Sequence, residues 1–261
     1  MKRITLLFMA VFILSCLAAH SQKIETGNAF RYVEIDVDLE ENMTPKQFEK
    51  FLVDEYLPAW EKNFSDLGLT IMKGERGERV DKYTIFIVFK SLEKRNEFWA
   101  EDKYPNEERK KAFNNMGETQ GMLTKMTSHG PVTVYEVLPF SGKSFRLKPG
   151  NVVSFHKPEF TLEEGMTFDQ FEKLYQDEYI PAVRKTLPGT ELCLLKGFKG
   201  ERTGKYVEFL VFESLEERNR WFPEPRKASE EWKKAIGNMR EIQSRMVKMV
   251  ESNTYTDYIV L

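Results

Sequence analysis

Lys73–Tyr83 reads KGERGERVDKY, and Lys196–Tyr206 reads KGFKGERTGKY. The two stretches lie 123 positions apart (196 − 73). The same offset, without a gap, sets Leu39–Leu138 on Leu162–Leu261. DEYLPAW (Asp54–Trp60) falls on DEYIPAV, FKSLEKRN (Phe89–Asn96) on FESLEERN, and KKAFNNM (Lys110–Met116) on KKAIGNM. About half of the positions between Met43 and Met126 match their counterparts. The chain reads as a tandem duplication. Two copies are too few for a solenoid and suit a pair packed face to face.

Within each copy the hydrophobic pattern predicts strand, helix, strand, strand, helix, strand. In the first strand Tyr32, Glu34 and Asp36 alternate with Val33, Ile35 and Val37. The first helix opens on a capping box, Thr44 with Gln47, echoed by Thr167 with Gln170. Pro58 and Pro181 should kink or restart that helix, because proline lacks an N–H and crowds the preceding turn. Strands follow at Leu69–Lys73 and Lys82–Lys90, and the quoted stretch joins them as a hairpin with Gly74 and Gly77 supplying the turn. Its Arg76, Arg79 and Lys82 form a candidate anion cradle. The second helical region starts near Leu92, breaks around Pro105 and ends near His129, and the last strand is Val132–Leu138. The expected fold is α+β: two ferredoxin-like βαββαβ repeats packed sheet to sheet as an intramolecular pseudo-dimeric α/β barrel. The domains expected are a signal peptide (1–21), a first repeat (22–140), a linker (141–150) and a second repeat (151–261).

This element order, with FEKFLVDEYLPAW and YTIFIVFKSLEKRN, resembles the dimeric α/β-barrel superfamily. That group includes antibiotic-biosynthesis monooxygenases, EthD-like and NIPSNAP-like proteins, muconolactone isomerases, and the haem-binding chlorite dismutases and dye-decolourising peroxidases. The resemblance covers nearly all of the chain after the signal, here as a duplicated single chain. It carries no diagnostic catalytic motif, so no catalytic residue transfers with it. It implies that haem is one cofactor to consider, with His129 as the axial ligand to test.

The 261 residues carry a net charge of −2, which points to neither nucleic acid nor an anionic membrane. After the N-terminus no segment has the ~20 apolar residues of a membrane span. A small organic molecule and a further homo-oligomer remain as partners. Lys2 and Arg3, the apolar run Ile4–Leu14 and the small residues after it predict export to the periplasm or beyond, with cleavage after Ser21. A lipid anchor on Cys16 is the alternative. Soluble export would leave Cys193 as a lone cysteine in the apolar run ELCLL, a buried inert thiol.

No nucleophile elbow, P-loop, HExxH or paired CxxC is present. With only His129 and His156 after the signal, a multi-histidine metal site within one chain is excluded, and no cofactor is expected. The informative positions are those where the copies differ. His156 stands where the first copy has Val33, Glu208 where it has Ile85, and Asp257 where it has Val134. In a 4-1-3-2 sheet their strands are adjacent. A carboxylate on an apolar strand face has a raised pKa and suits a general base, and a histidine beside it suits a proton relay. Glu208, His156 and Asp257 are therefore the candidate catalytic residues. Tyr206, Phe209, Tyr83 and Arg202 are the candidate ligand contacts, the aromatic ones between the sheets. The leading expectation is an exported small-molecule-binding barrel. The alternatives are a cofactor-independent monooxygenase or isomerase, and a non-catalytic structural or partner-binding module.

Overall fold

The computed structural model describes residues 21–39, 43–99, 105–140, 144–225 and 227–261. The signal segment and Cys16 lie outside the described residues, except Ser21. The first half contributes strands β2 (Ala29–Val37), β3 (Gly68–Gly77), β4 (Tyr83–Phe89) and β5 (Thr127–Val137). The second contributes β7 (Val152–Phe160), β8 (Thr190–Gly200), β9 (Tyr206–Phe212) and β10 (Val250–Val260). They form one closed antiparallel barrel in the order β10-β3-β4-β2-β5-β8-β9-β7. Each half keeps its own strands adjacent, as β5-β2-β4-β3 and β10-β7-β9-β8. Two short strands, β1 (Gln22–Ile24) and β6 (Phe145–Leu147), pair separately, so part of the expected linker is ordered against the start of the first half.

Two seams close the barrel. β3 pairs with β10, and β5 pairs with β8. The bare faces do bury one another, but the sheets also join edge to edge, which leaves the barrel itself without a free edge. The repeated glycines sit at these seams, inside the strands and not in the turns. Gly77 has φ +100° and a Cβ there would collide with the Tyr255 carbonyl of β10. Gly200 has φ +101° and meets the Val132 carbonyl of β5 in the same way. Only glycine combines that left-handed backbone with so close an approach. Each seam carries a bulge beside them, between Asp257 and Tyr258 in one and between Val134 and Tyr135 in the other.

Strand alternation sends one face inward and the other to the helices. Tyr32, Phe86, Phe155, Phe209 and Tyr258 meet inside the barrel across the two halves. Tyr32 stacks on Phe155 at 5.0 Å, Phe86 lies 5.7 Å from Phe209, and the Tyr32 and Tyr258 hydroxyls are 3.2 Å apart. Each such ring buries about 150–250 Å², worth roughly 4–6 kcal/mol before entropy is counted. The interior is thus packed core.

Helices cover the outside in two layers. The first holds α1 (Pro45–Phe51), a wide π-turn (Leu52–Tyr56), α2 (Leu57–Asn63), α3 (Leu92–Phe98) and α4 (Glu107–Met126). The second holds α5 (Phe168–Leu174), a matching π-turn (Tyr175–Tyr179), α6 (Ile180–Thr186), α7 (Leu215–Trp221), α8 (Glu230–Ile236), a short 3-10 turn (Gly237–Met239) and α9 (Arg240–Met249). Both capping boxes form. Pro58 and Pro181 each stand in the first turn of a new α segment that restarts after a π-turn. The turn before each proline widens, and Leu57 N–H donates to the Leu52 carbonyl, so the missing proline N–H falls where the ladder is already irregular. The last strand of the first half begins at Thr127, five residues earlier than expected. His129 therefore lies in β5, exposed and paired with Ile35, and not at a helix end.

Candidate functional site

A cavity of about 420 Å³ lies in the second layer, between the helix-facing side of β7–β10 and helices α6–α8. Register builds its floor. His156 on β7 is flanked by Glu208 on β9 and Tyr255 on β10, and one step along Ser154 is flanked by Leu210 and Asp257. Side chains directly opposite on adjacent antiparallel strands are ~5 Å apart at Cβ, so these form two rows across three strands. Val183 and Tyr179 close the α6 side, and Arg218, Phe222 and Trp232 the α7–α8 side.

Each polar group has a defined setting. Glu208 Oε1 accepts a 2.9 Å hydrogen bond from the Tyr175 hydroxyl. Burial raises its pKa above the carboxylate range, and the Tyr175 bond opposes that only in part. The fully buried Tyr175 phenol is pushed well up, first by burial and then by Glu208, so it stays a donor. His156 is brought down to about 4 by burial and is a neutral imidazole near neutrality. Its Nδ1 faces the Asn253 amide nitrogen at 3.0 Å, and its ring lies on Tyr255 at 5.3 Å and 17°. With the amide donating, the ring proton sits on Nε2. Asp257 is buried, accepts from Ser154 Oγ and pairs with Arg218. Arg218 is lowered to about 10 by burial and then by Arg76. Arg76, from the first half, donates to the Phe222 carbonyl at 3.0 Å and to Asn219 at 3.2 Å, and so fixes one wall of the cavity.

The three candidate catalytic residues Glu208, His156 and Asp257 thus share one cavity wall. Their settings differ, and Asp257 is committed to Arg218. The four candidate ligand contacts lie elsewhere. Tyr206 faces the helices and donates to Glu172 at 2.6 Å, and Tyr83 does the same to Glu49 at 2.9 Å. Phe209 points into the barrel, because it is an odd number of positions from Glu208 and Tyr206 and strands alternate. Arg202 is held by Glu159 at 3.1 Å and by the Pro158 and Tyr206 carbonyls, as a hairpin brace. The proposed anion cradle also disperses: Arg79 pairs with Glu34 at 2.6 Å, Arg76 with the α7 end, and Lys82 lies 3.8 Å from Asp36.

Sequence reasoning missed the residues that make the space. Adding 123 sets Trp60 on Val183 and Arg31 on Ser154, which line the cavity, and Phe64 on Leu187 and Phe113 on Ile236 in the core of the same layer. In the first layer Trp60 is buried, 4.2 Å from Phe64 and 6.0 Å from Phe113. Every one of these exchanges removes volume. Tyr175 was missed as well; it replaces Leu52, so the Leu52–Ile85 pair of one layer becomes Tyr175–Glu208 in the other. The same copy-to-copy comparison, scored for volume as well as polarity, finds them all.

A haem site does not fit these residues. His129 is exposed on β5 and outside the cavity, and His156 lies flat on Tyr255 with Nδ1 against Asn253, so neither imidazole stands over an open apolar slot. Among the described residues no group of three or more His, Cys, Asp or Glu side chains is placed to hold a metal ion.

No family model and no curated protein matches this chain in sequence. Solved structures do match in shape. A candidate monooxygenase from Lactobacillus acidophilus NCFM superposes with a TM-score of 0.52 at 9% identity, covering 90% of this chain and 94% of its own. The W145F chlorite dismutase of Candidatus Nitrospira defluvii, in complex with cyanide, superposes with a TM-score of 0.53 at 9% identity, covering 91% and 92%. At that identity the likeness establishes architecture alone: the chain has the dimeric α+β barrel fold.

Proposed function

We propose that this protein binds a small organic molecule in the second-layer cavity. The observation that carries the reading is the contrast at matched positions: bulky residues fill the first layer, while smaller and polar ones open the second. A volume of about 420 Å³ lies within the ~300–1,000 Å³ range of ligand sites, and its mixture of apolar walls and a few polar groups is the usual one. The chain behind it is read as a fused pair of ferredoxin-like repeats, exported by its N-terminal segment, with a specialised pocket in its second layer.

A second reading is proton-transfer catalysis, as in a cofactor-independent monooxygenase or isomerase. It is favoured by a carboxyl with a raised pKa beside a neutral imidazole, which suits an acid–base pair near neutrality. The neighbour from L. acidophilus, a candidate monooxygenase, shares the fold. In this reading Glu208 takes the proton from a bound carbon acid, and His156 Nε2–H donates a hydrogen bond to the oxygen that gains charge.

The test is ligand retention. The protein purified from its native extract should carry a small molecule detectable by mass spectrometry, and Val183→Trp should lose it. An empty wild-type protein in repeated preparations, or equal retention by Val183→Trp, refutes the site. With the ligand in hand, the wild-type protein should convert it and Glu208→Ile should not in the catalytic reading, whereas in the binding-only reading neither protein converts it.

A further inference from the structure

The two layers differ in charge as much as in volume. In the first, the Arg109 guanidinium is 1% exposed and lies 3.3 Å from the Phe98 ring centre and 3.6 Å from that of Trp99. None of its three nitrogens has a hydrogen-bond partner among the described residues. Arg31 lies over the same Trp99 ring, 4.5 Å from its centre. This half therefore stores two organic cations of its own on aromatic faces. In the second half both are gone: Arg109 corresponds to Trp232 and Arg31 to Ser154. The aromatic surface stays, since Trp99 corresponds to Phe222, and Phe222 and Trp232 sit 4.4 Å apart on the cavity wall. Arg95 is kept as Arg218, but Asp257 now neutralises it. Ile85 becomes Glu208, whose hydrogen-bond partner among the described residues is a neutral phenol.

We propose that the cavity takes a small organic cation, an amine, amidine or guanidine on a flat apolar body, with Glu208 as its counter-charge and Phe222 and Trp232 as its ring contacts. This rests on the small-molecule reading above and names the class of ligand. The first layer shows the arrangement already filled, with the protein's own guanidinium on the rings. Of the charged groups lining the second, Arg218 and Asp257 cancel, and Glu208 is left without a cation. A buried carboxylate is costly until paired, and a cation on aromatic rings gains ~0.5–2 kcal/mol. An anion would meet Glu208 and the negative faces of the Phe222 and Trp232 rings, and lose on both counts. The groups facing Glu208 are the Tyr175 and Tyr179 phenols, neutral His156 and Tyr255, with Arg76 behind the Phe222 backbone. None of these supplies a second carboxylate, so a ligand cation competes with a proton for Glu208.

Three probes of one shape and different charge test this by calorimetry on the full chain: benzamidine, benzamide and benzoate. Benzamidine should bind at least about tenfold more tightly than benzamide, with benzoate giving no heat. Glu208→Gln keeps the shape and the Tyr175 contact. It should weaken benzamidine by about tenfold or more and leave benzamide within about twofold. Benzamidine binding should also weaken as the pH falls through the Glu208 titration. Benzamide or benzoate binding as well as benzamidine, no effect of Glu208→Gln, or no binding by any probe overturns the proposal. Val183→Trp separates the two levels. Neutral or anionic binding that this variant abolishes sinks the cation preference and spares the pocket, whereas binding that it leaves intact sinks both.

Discussion

The first helical layer and the second share a backbone plan and differ in what fills it. Around Trp60, rings from Phe64, Phe98 and Phe113 interlock, and Arg109 is packed among the last three. At the matched positions of the second layer stand Val183, Leu187, Trp221, Ile236 and Trp232, and a cavity opens. The difference teaches that one of two similar layers can be left as core while the other gives up packing for a cavity. The barrel does not suffer, because its interior and its two seams are built from the opposite strand faces and from glycines common to both halves.

The largest effect should come from emptying the filled layer. Trp60→Val imports the second layer's residue and should cost about 3–5 kcal/mol, as large-to-small core changes do, read as a fall in denaturant midpoint. A loss under ~1 kcal/mol would mean the layer is less tightly packed than its ring contacts imply.

Next is the Tyr175–Glu208 pair. Glu208→Ile alone strands the buried Tyr175 hydroxyl, and Tyr175→Leu alone strands the carboxyl, so each single change should cost about 1–3 kcal/mol or give no gain. The double change restores the first layer's Leu–Ile pair and should be more stable than either single variant. A coupling energy near zero in that cycle would mean the two residues do not act together.

The pH dependence sharpens the comparison further. His156 has a folded pKa of about 4 against an ordinary 6.5, so the unfolded chain binds the proton first. Stability from this group is intact above about 6.5 and is lost as the pH falls toward 4. Glu208 is raised, so its contribution runs the other way: the folded state keeps the proton longer, and stability falls as the pH climbs from the ordinary 4.5 through the raised value. His156→Val, the first layer's residue, should remove the acid-side loss, roughly 2 kcal/mol or less for a group that lines an open cavity. Chemical denaturation across pH 4–7 reads it, and an unchanged profile would place the titration elsewhere.

The smallest effect belongs to a residue first expected at the site. Arg202→Gln breaks a hairpin brace and should cost about 1 kcal/mol or less, with ligand retention unchanged. Loss of ligand on that change would move the site away from the cavity.

Much of this was legible beforehand, for reasons that differ by residue. Glu208, His156 and Asp257 stood out because a polar residue on an apolar strand face contrasts with its sister copy, and the expected strand adjacency placed them together. Tyr175 escaped notice because tyrosine in place of Leu52 keeps a helix face apolar, and its hydroxyl matters only once Glu208 stands 2.9 Å away. Tyr206 and Phe209 do not share a face, because three residues along a strand reverse the side chain. The helical pattern runs to near His129, yet β5 already begins at Thr127 and pairs His129 with Ile35.

By itself the amino-acid sequence determined the self-similarity at an offset of 123 and the order of the main helices and barrel strands, because identity is read position by position and periods of 2 and 3.6 are local properties of a chain. Tertiary structure alone decided how β3 met β10 and β5 met β8, why Gly77 and Gly200 had to be glycine, and that Val183 and Ser154 opened a chamber. Those outcomes depend on the distance and volume between residues far apart in the chain, which no local period encodes.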